Sequence, residues 1–253
     1  MAASWHERSG DGNVHALYAG LWPLLFLLVG VLMPMEVQAK TVRLAALGDS
    51  LTAGWGLPPS ESFTAELERS LAAKGLDVRV VNFGISGDTT AGGVARVGAV
   101  VAAKPDGVIL ELGANDALRG FDPALAEANL DRVLGELKKA NIPVLLTGMK
   151  ALLGMGKRYG DEFAAIYPRL AAKHGVKLYP FFLEGVAGDP ALNQPDGLHP
   201  NYQGVREMVR RITPDVEAFV KGLGGGEVGE ERGKRRKKMP PAAKGSSSLW
   251  NPA

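Results

Sequence analysis

The feature that most constrains this chain is a regular alternation, from Thr41 to Leu223, between short apolar runs and stretches with helical periodicity. Thr41–Leu47 (TVRLAAL) is an apolar run that stops at Gly48, the first expected strand. Ser60–Lys74 repeats apolar residues at helical spacing (Phe63, Leu67, Leu71) and stops at Gly75. Val78–Phe83, Gly107–Leu112, Pro143–Met149 and Val176–Tyr179 read as further strands. Between them, Thr90–Ala103, the stretch from Asp122 to about Ala140, and Asp161–Lys173 read as helices, and Asn201–Lys221 reads as a last helix bent near Pro214. Asp122-Pro123 is a helix start, with Asp as the cap and Pro in the first turn, where its missing N–H costs nothing. Strands that alternate with helices pair in parallel through crossover units, so the expected class is α/β with an open sheet covered on both faces. In such sheets ligands bind beyond the carboxyl ends of the strands.

Those ends carry polar, glycine-containing loops. The first strand leads into Gly48-Asp49-Ser50-Leu51-Thr52-Ala53-Gly54, the second into Gly84-Ile85-Ser86-Gly87-Asp88-Thr89, the third into Gly113-Ala114-Asn115-Asp116. Asp196-Gly197-Leu198-His199-Pro200 precedes the last helix. The chain has no cysteine, which removes thiolate catalysis, disulfides and zinc–thiolate sites. Of four histidines, His6 and His15 precede a long apolar run, and His174 ends a helix beside Gly175, where a cation is favoured and a surface cap is the simplest reading. His199 remains, with Asp196 three residues upstream to orient it.

Hydrolysis through a hydroxyl needs a base near neutral pKa and a carboxylate to hold that base in one tautomer. Ser50, His199 and Asp196 supply these three groups. Gly48 and Gly54 flank Ser50 and let the backbone turn tightly there. The oxyanion formed on attack needs waiting donors. The backbone N–H groups of Ser50 and Gly87 and the side-chain amide of Asn115 are the candidates. Asp49 reads as a brace for the turn backbone, Asp88 and Asp116 as braces for their loops, and Glu111 as a fixture of its strand end. Ser86 is a weaker nucleophile candidate, because Asp88 breaks the Gly-x-Ser-x-Gly pattern. The acidic residues show no metal-ligand spacing, so neither a metal nor another cofactor is expected. A hydroxyl-rich loop after the first strand also suits phosphate or flavin, but a non-catalytic binding module leaves Asn115 and the Asp196/His199 pair unexplained.

Charge is distributed unevenly. Residues 1–39 hold one Arg against three acids, residues 224–253 hold seven Lys/Arg against three Glu, and the region between is neutral. A neutral central domain offers no footprint for nucleic acid. Leu17–Met33 is nearly unbroken in apolar character, short for a membrane span, and followed by Val37-Gln38-Ala39 with small residues at the positions a signal peptidase reads. The expected organisation is a signal peptide over 1–39, a catalytic domain over 40–223, and a disordered basic tail over 224–253. Cleavage after Ala39 would leave a periplasmic or secreted protein without a stable membrane span.

Taken together, Ser50 in GDSLTAG, Gly87 in ISGDTT, Asn115 in LGANDALRG and His199 in DGLHPN resemble the four blocks of the SGNH (GDSL) hydrolase superfamily. The resemblance spans about Val42 to Leu223. The stretches VVNFGISGDTTAGGVAR, AIYPRLA and LYPFFLEGVAGDPALNQPDGLHPN are similar to its bacterial periplasmic thioesterase/lysophospholipase/arylesterase group. It implies a flavodoxin-like three-layer α/β/α sandwich with five parallel strands, a metal-free Ser50–His199–Asp196 triad, and small-molecule acyl esters or thioesters as substrates. It also implies that the loop after the fourth strand lines the acyl pocket, here with Met149, Lys150, Leu152 and Leu153. A carbohydrate acetylesterase of the same superfamily shares every one of these catalytic residues.

Overall fold

The structure, a computed structural model, describes residues 41–151 and 154–224. The segments read above as a leader (1–39) and, beyond Gly224, as a basic tail lie outside the described residues, as do Leu152 and Leu153.

Five parallel strands form one sheet: β1 (Val42–Gly48), β2 (Val78–Gly84), β3 (Gly107–Leu110), β4 (Val144–Thr147) and β5 (Lys177–Tyr179), in the order β2-β1-β3-β4-β5. The central strands β3 (GVIL) and β4 (VLLT) are buried at every position, as strands covered on both faces must be. The edge strand β2 mixes buried Val78 and Val80 with exposed positions. The helices are α1 (Ser50–Ala53), α2 (Phe63–Ala72), α3 (Thr90–Ala102), α4 (Ala114–Leu118), α5 (Pro123–Lys139), α6 (Lys157–Ala164), α7 (Ile166–His174) and α8 (Tyr202–Gly224), with a 3-10 turn at Pro59–Glu61. The chain leaves β1 toward β2 and then returns past β1 to β3. Right-handed crossovers in opposite directions put α2 on one face and α3, α5 and α7 on the other. Helix α8 packs beside α2, while α5 packs against both α3 and α7. The result is the three-layer, flavodoxin-like α/β/α sandwich.

Several boundaries depart from the sequence reading for identifiable reasons. The helix expected over Asp161–Lys173 is two helices, α6 and α7, with the break at Ala165. Pro168 has no N–H to give the Ala164 carbonyl, so the hydrogen-bond ladder cannot run through. The last helix runs unbroken through Pro214 and extends to Gly224, and the Thr213 hydroxyl bonds the Val209 carbonyl in that turn. Two single-turn helices, α1 and α4, stand where the sequence suggests only loop. Asp122 caps α5 as expected, with its carboxylate accepting from Ala124 N at 2.9 Å.

His174 is not the surface cap expected of it. Its side chain is only 10% exposed, and Nε2 lies 2.6 Å from Asp131 Oδ1 on α5. It ties two helices together, which is a packing role.

Among the described residues no helix is long and apolar enough to cross a membrane.

Candidate active site

The direction of the chain reverses between β1 and β3, and the split between their carboxyl ends is where a doubly wound sheet opens a crevice. Ser50 leaves β1 at that split, Asn115 leaves β3 beside it, and the loop carrying Gly87 leaves β2 on the other side.

Local chemistry explains the turn at Ser50. Asp49 caps α1 by accepting from Leu51 N at 3.0 Å, and Gly54, at φ 85°, closes the turn by donating to the Ser50 carbonyl at 3.0 Å. Gly48 serves a different purpose from the one read in the sequence. Its φ is not in the left-handed region, but a Cβ there would lie 2.0 Å from Thr52 Oγ1 and 2.5 Å from Glu111 Oε2. The position has room for backbone only.

His199 Nε2 lies 2.9 Å from Ser50 Oγ, and His199 Nδ1 lies 2.7 Å from Asp196 Oδ2. The other Asp196 oxygen accepts from the backbone N–H groups of His199 (3.0 Å) and Leu198 (2.9 Å). Those bonds, led by the one from His199 N, hold the Asp196 carboxyl down at about 2. Asp196 is therefore a fixed negative charge against the imidazole edge. The Trp55 ring stands 6.0 Å from the His199 ring. Gln194, unremarked in the sequence, donates from Nε2 to the carbonyls of Trp55 (2.7 Å) and Pro200 (3.0 Å), and its backbone N–H donates to the His199 carbonyl at 2.7 Å. It bridges the segment after Ser50 to the loop that bears His199.

Gly87 adopts φ +82°, which only glycine takes without strain, and nothing approaches its Cα face closer than Arg119 Nη2 at 3.9 Å from a would-be Cβ. Arg119 also donates to the Gly87 carbonyl at 2.9 Å. Asn115 Nδ2 donates to Asp49 Oδ2 at 3.2 Å. Arg96, also not singled out beforehand, pairs with Asp88 (Nε–Oδ2, 2.5 Å) and donates to the carbonyls of Gly48 (2.6 Å) and Phe83, pinning the ends of β1 and β2. Asp116 accepts from the backbone and hydroxyl of Thr90 at 2.9 and 2.6 Å and so braces its loop, as read.

Beneath Ser50 lies a buried carboxyl pair. Glu111 Oε2 accepts from Thr52 Oγ1 at 2.8 Å and from Asp49 N at 3.3 Å, while the buried Oε1 finds no hydrogen-bond partner among the described residues. Burial pushes Asp49 up to about 6, against the pull of its bonds to Leu51 and Asn115. Burial, then the nearby Asp49 charge, pushes Glu111 well above the ordinary carboxylate range.

A cavity of about 370 Å³ opens onto this site. Ser50, Gly87, Asn115 and His199 share its wall, and Leu51, Leu118, Met149, Leu183 and Leu198 make the wall mostly apolar. Of the four residues expected to line an acyl pocket, Met149 and Lys150 are in this wall and Leu152 and Leu153 fall outside the described residues.

A serine, a histidine and a carboxylate thus stand in contact at the switch point of a doubly wound sheet. The pattern of the GDSL-like Lipase/Acylhydrolase family matches residues 46–207. The chain belongs to this family and is a carboxylic ester hydrolase. It is 40% identical over 191 residues to Esterase TesA of Pseudomonas aeruginosa, covering 75% of this chain and 94% of that protein. It is 41% identical over 181 residues to Thioesterase 1/protease 1/lysophospholipase L1 of Escherichia coli strain K12, covering 71% of this chain and 85% of that protein. Among solved structures it resembles AlinE4, an SGNH-hydrolase family esterase, with a TM-score of 0.61 and 46% identity over 71% of this chain and 97% of that one.

Proposed function

We propose that the chain is a serine esterase that hydrolyses acyl esters or thioesters through an acyl-enzyme on Ser50. The observation that carries this reading is the unbroken line of contacts from Ser50 Oγ to His199 at 2.9 Å and on to Asp196 at 2.7 Å, at the wall of an apolar cavity. His199 Nε2 takes the hydroxyl proton as Oγ bonds to the acyl carbonyl carbon, and Asp196 stabilises the imidazolium that forms. The negative charge moves to the carbonyl oxygen, where the N–H groups of Ser50 and Gly87 and the Asn115 amide receive it. Collapse breaks the bond to the alcohol or thiol, which takes the proton from His199. Water then attacks the acyl-enzyme with His199 again as base, and the carboxylic acid leaves Ser50 restored. A thiolate needs less acid help than an alkoxide, so the same groups serve both substrate types.

The apolar wall suits a hydrocarbon acyl group, and the names of the relatives make thioesters and lysophospholipids the first substrates to try. A panel of aryl esters and acyl thioesters of graded chain length, run on wild type and Ser50→Ala, tests the reading. Ser50→Ala is expected to lose roughly 10³-fold or more on every member; unchanged turnover by this variant would overturn the proposal.

We also propose that the protein is exported and that the mature chain starts at Lys40. N-terminal sequencing of exported protein checks this, and retention of Leu17–Met33 would refute it.

A further inference from the structure

We infer that Lys150 makes this esterase selective for substrates that carry a negative charge, on the leaving alcohol or on the acyl chain. This inference rests on the proposed ester hydrolysis at Ser50 and adds the substrate class.

The walls of the cavity contain two ionisable side chains, His199 and Lys150, and no carboxylate. His199 is engaged by Ser50 and Asp196. Among the described residues, Lys150 is therefore the one permanently charged side chain that lines the cavity. No ion pair among the described residues engages it, whereas its basic neighbours in the chain, Lys157 and Arg158, face Asp161 and Glu162. Arg119 is committed to the Gly87 carbonyl, and Arg96 to Asp88.

Lys150 is also held in place, which an ordinary surface lysine is not. Its Nζ stands 4.5 Å from the centroid of the Phe181 ring. The ring attracts the ammonium without neutralising it, as a carboxylate would. The backbone beneath is clamped. Gly148 N donates to the Tyr179 carbonyl at 2.7 Å, and Phe182 N donates to the Gly148 carbonyl at 2.9 Å. A Cβ at Gly148 would lie 2.0 Å from the Pro180 carbonyl oxygen, so only glycine allows this approach. Buried Met149 anchors the intervening residue. The exit of β4, which carries Lys150, and the exit of β5, which carries Phe181, thus form one unit that places a lysine on the wall of a mostly apolar cavity. An amphiphile with a hydrocarbon part for the leucine wall and an anion for Lys150 satisfies both. The anion can be a phosphate on the leaving alcohol or a carboxylate at the far end of the acyl chain; the recognition chemistry is the same.

The test measures the ratio of kcat/KM for an anionic substrate to that for a neutral one of equal size. One series places a phosphate on the leaving alcohol (lysophosphatidate against monoacylglycerol). The other places a carboxylate on the acyl end (an aryl hemiester of a dicarboxylic acid against its methyl-capped form). In wild type the ratio is expected to exceed one in at least one series and to fall as salt is added. Lys150→Met keeps the stem and removes the charge. It should lower that ratio by about 10-fold, the size of one lost hydrogen bond to a charged group. Lys150→Glu should invert it. The series that responds identifies which end of the substrate carries the charge. A ratio unmoved by both substitutions in both series overturns the inference. If that happens while Ser50→Ala still abolishes hydrolysis of the neutral esters, the esterase reading stands without it.

Discussion

The Asn115 amide reaches the active cavity with one N–H already spent on Asp49 Oδ2, 3.2 Å away. The residue before Ser50 thereby orients an amide delivered by the loop after β3. Asn115→Ala is expected to cost kcat about 10²–10³-fold, the usual loss for one oxyanion donor, with little change in KM. Asp49→Ala, which leaves the amide present but unguided, should also lower kcat, by a smaller factor. Steady-state kinetics on a soluble aryl ester compares the two.

Asp196 should be needed as an anion, not merely as a hydrogen-bond acceptor. Asp196→Asn should lower kcat by up to about 10⁴-fold, because a neutral amide no longer fixes the tautomer of His199. With its carboxyl held at about 2, Asp196 stays ionised throughout the ordinary assay range. Any loss of wild-type activity between pH 4 and 7 must then come from another group, and a pH–rate profile of kcat/KM extended down to pH 4 should show no inflection assignable to this carboxyl.

The buried pair under Ser50 makes folding stability depend on pH with a definite sign. Asp49 at about 6 and Glu111, also raised, bind protons more tightly in the folded chain than in the unfolded one, where carboxyls titrate near 4. Their contribution therefore favours the folded state at low pH and is lost as pH rises through about 4 to 6 and beyond. Glu111→Gln removes the pair. Denaturant titrations at pH 5 and pH 7 should show a smaller drop in stability between the two values for the variant than for wild type.

Gln194 ties the segment after Ser50 to the loop that carries His199. Gln194→Glu keeps the shape of the side chain but cannot donate to the carbonyls of Trp55 and Pro200. It should lower kcat by about 10-fold or more, since small displacements of reacting groups are costly. Gln194→Asn, which retains a donor, should recover part of that loss. Equal kcat for Gln194→Glu and wild type would remove this role.

Gly48→Ala tests the space argument directly. Its methyl group would meet Thr52 Oγ1 and Glu111 Oε2 at non-bonded distances no packing allows. A destabilisation of about 1–3 kcal/mol is expected from overpacking, measurable by urea unfolding.

Much of this site can be read along the chain because its chemistry is carried by short loops at strand ends. Periodicity locates the strands, the sheet rule says which ends matter, and the histidine count leaves His199. What could not be read depends on partners brought together by folding. Gln194 and Trp55 are 139 residues apart, and nothing near either one announces the bond. The Glu111–Asp49 pair needs β1 and β3 side by side, and a lone acidic residue at a strand end looks the same whether or not another lies beneath it. The place of His174 is not legible along the chain, because a helix end is solvated in isolation and Asp131 on a neighbouring helix changes that. Pro168 was visible, yet its effect on the helix required knowing where the preceding turn would end.

Ser50 and the imidazole it touches are separated by 149 residues, and the histidine sits just ahead of α8, which docks on α2. Four of the five strands, β2 to β5, are made between Ser50 and His199, so the hydroxyl exists in the growing chain before the imidazole does. Contact between the two therefore reports that the whole sheet and the loop behind it have come together.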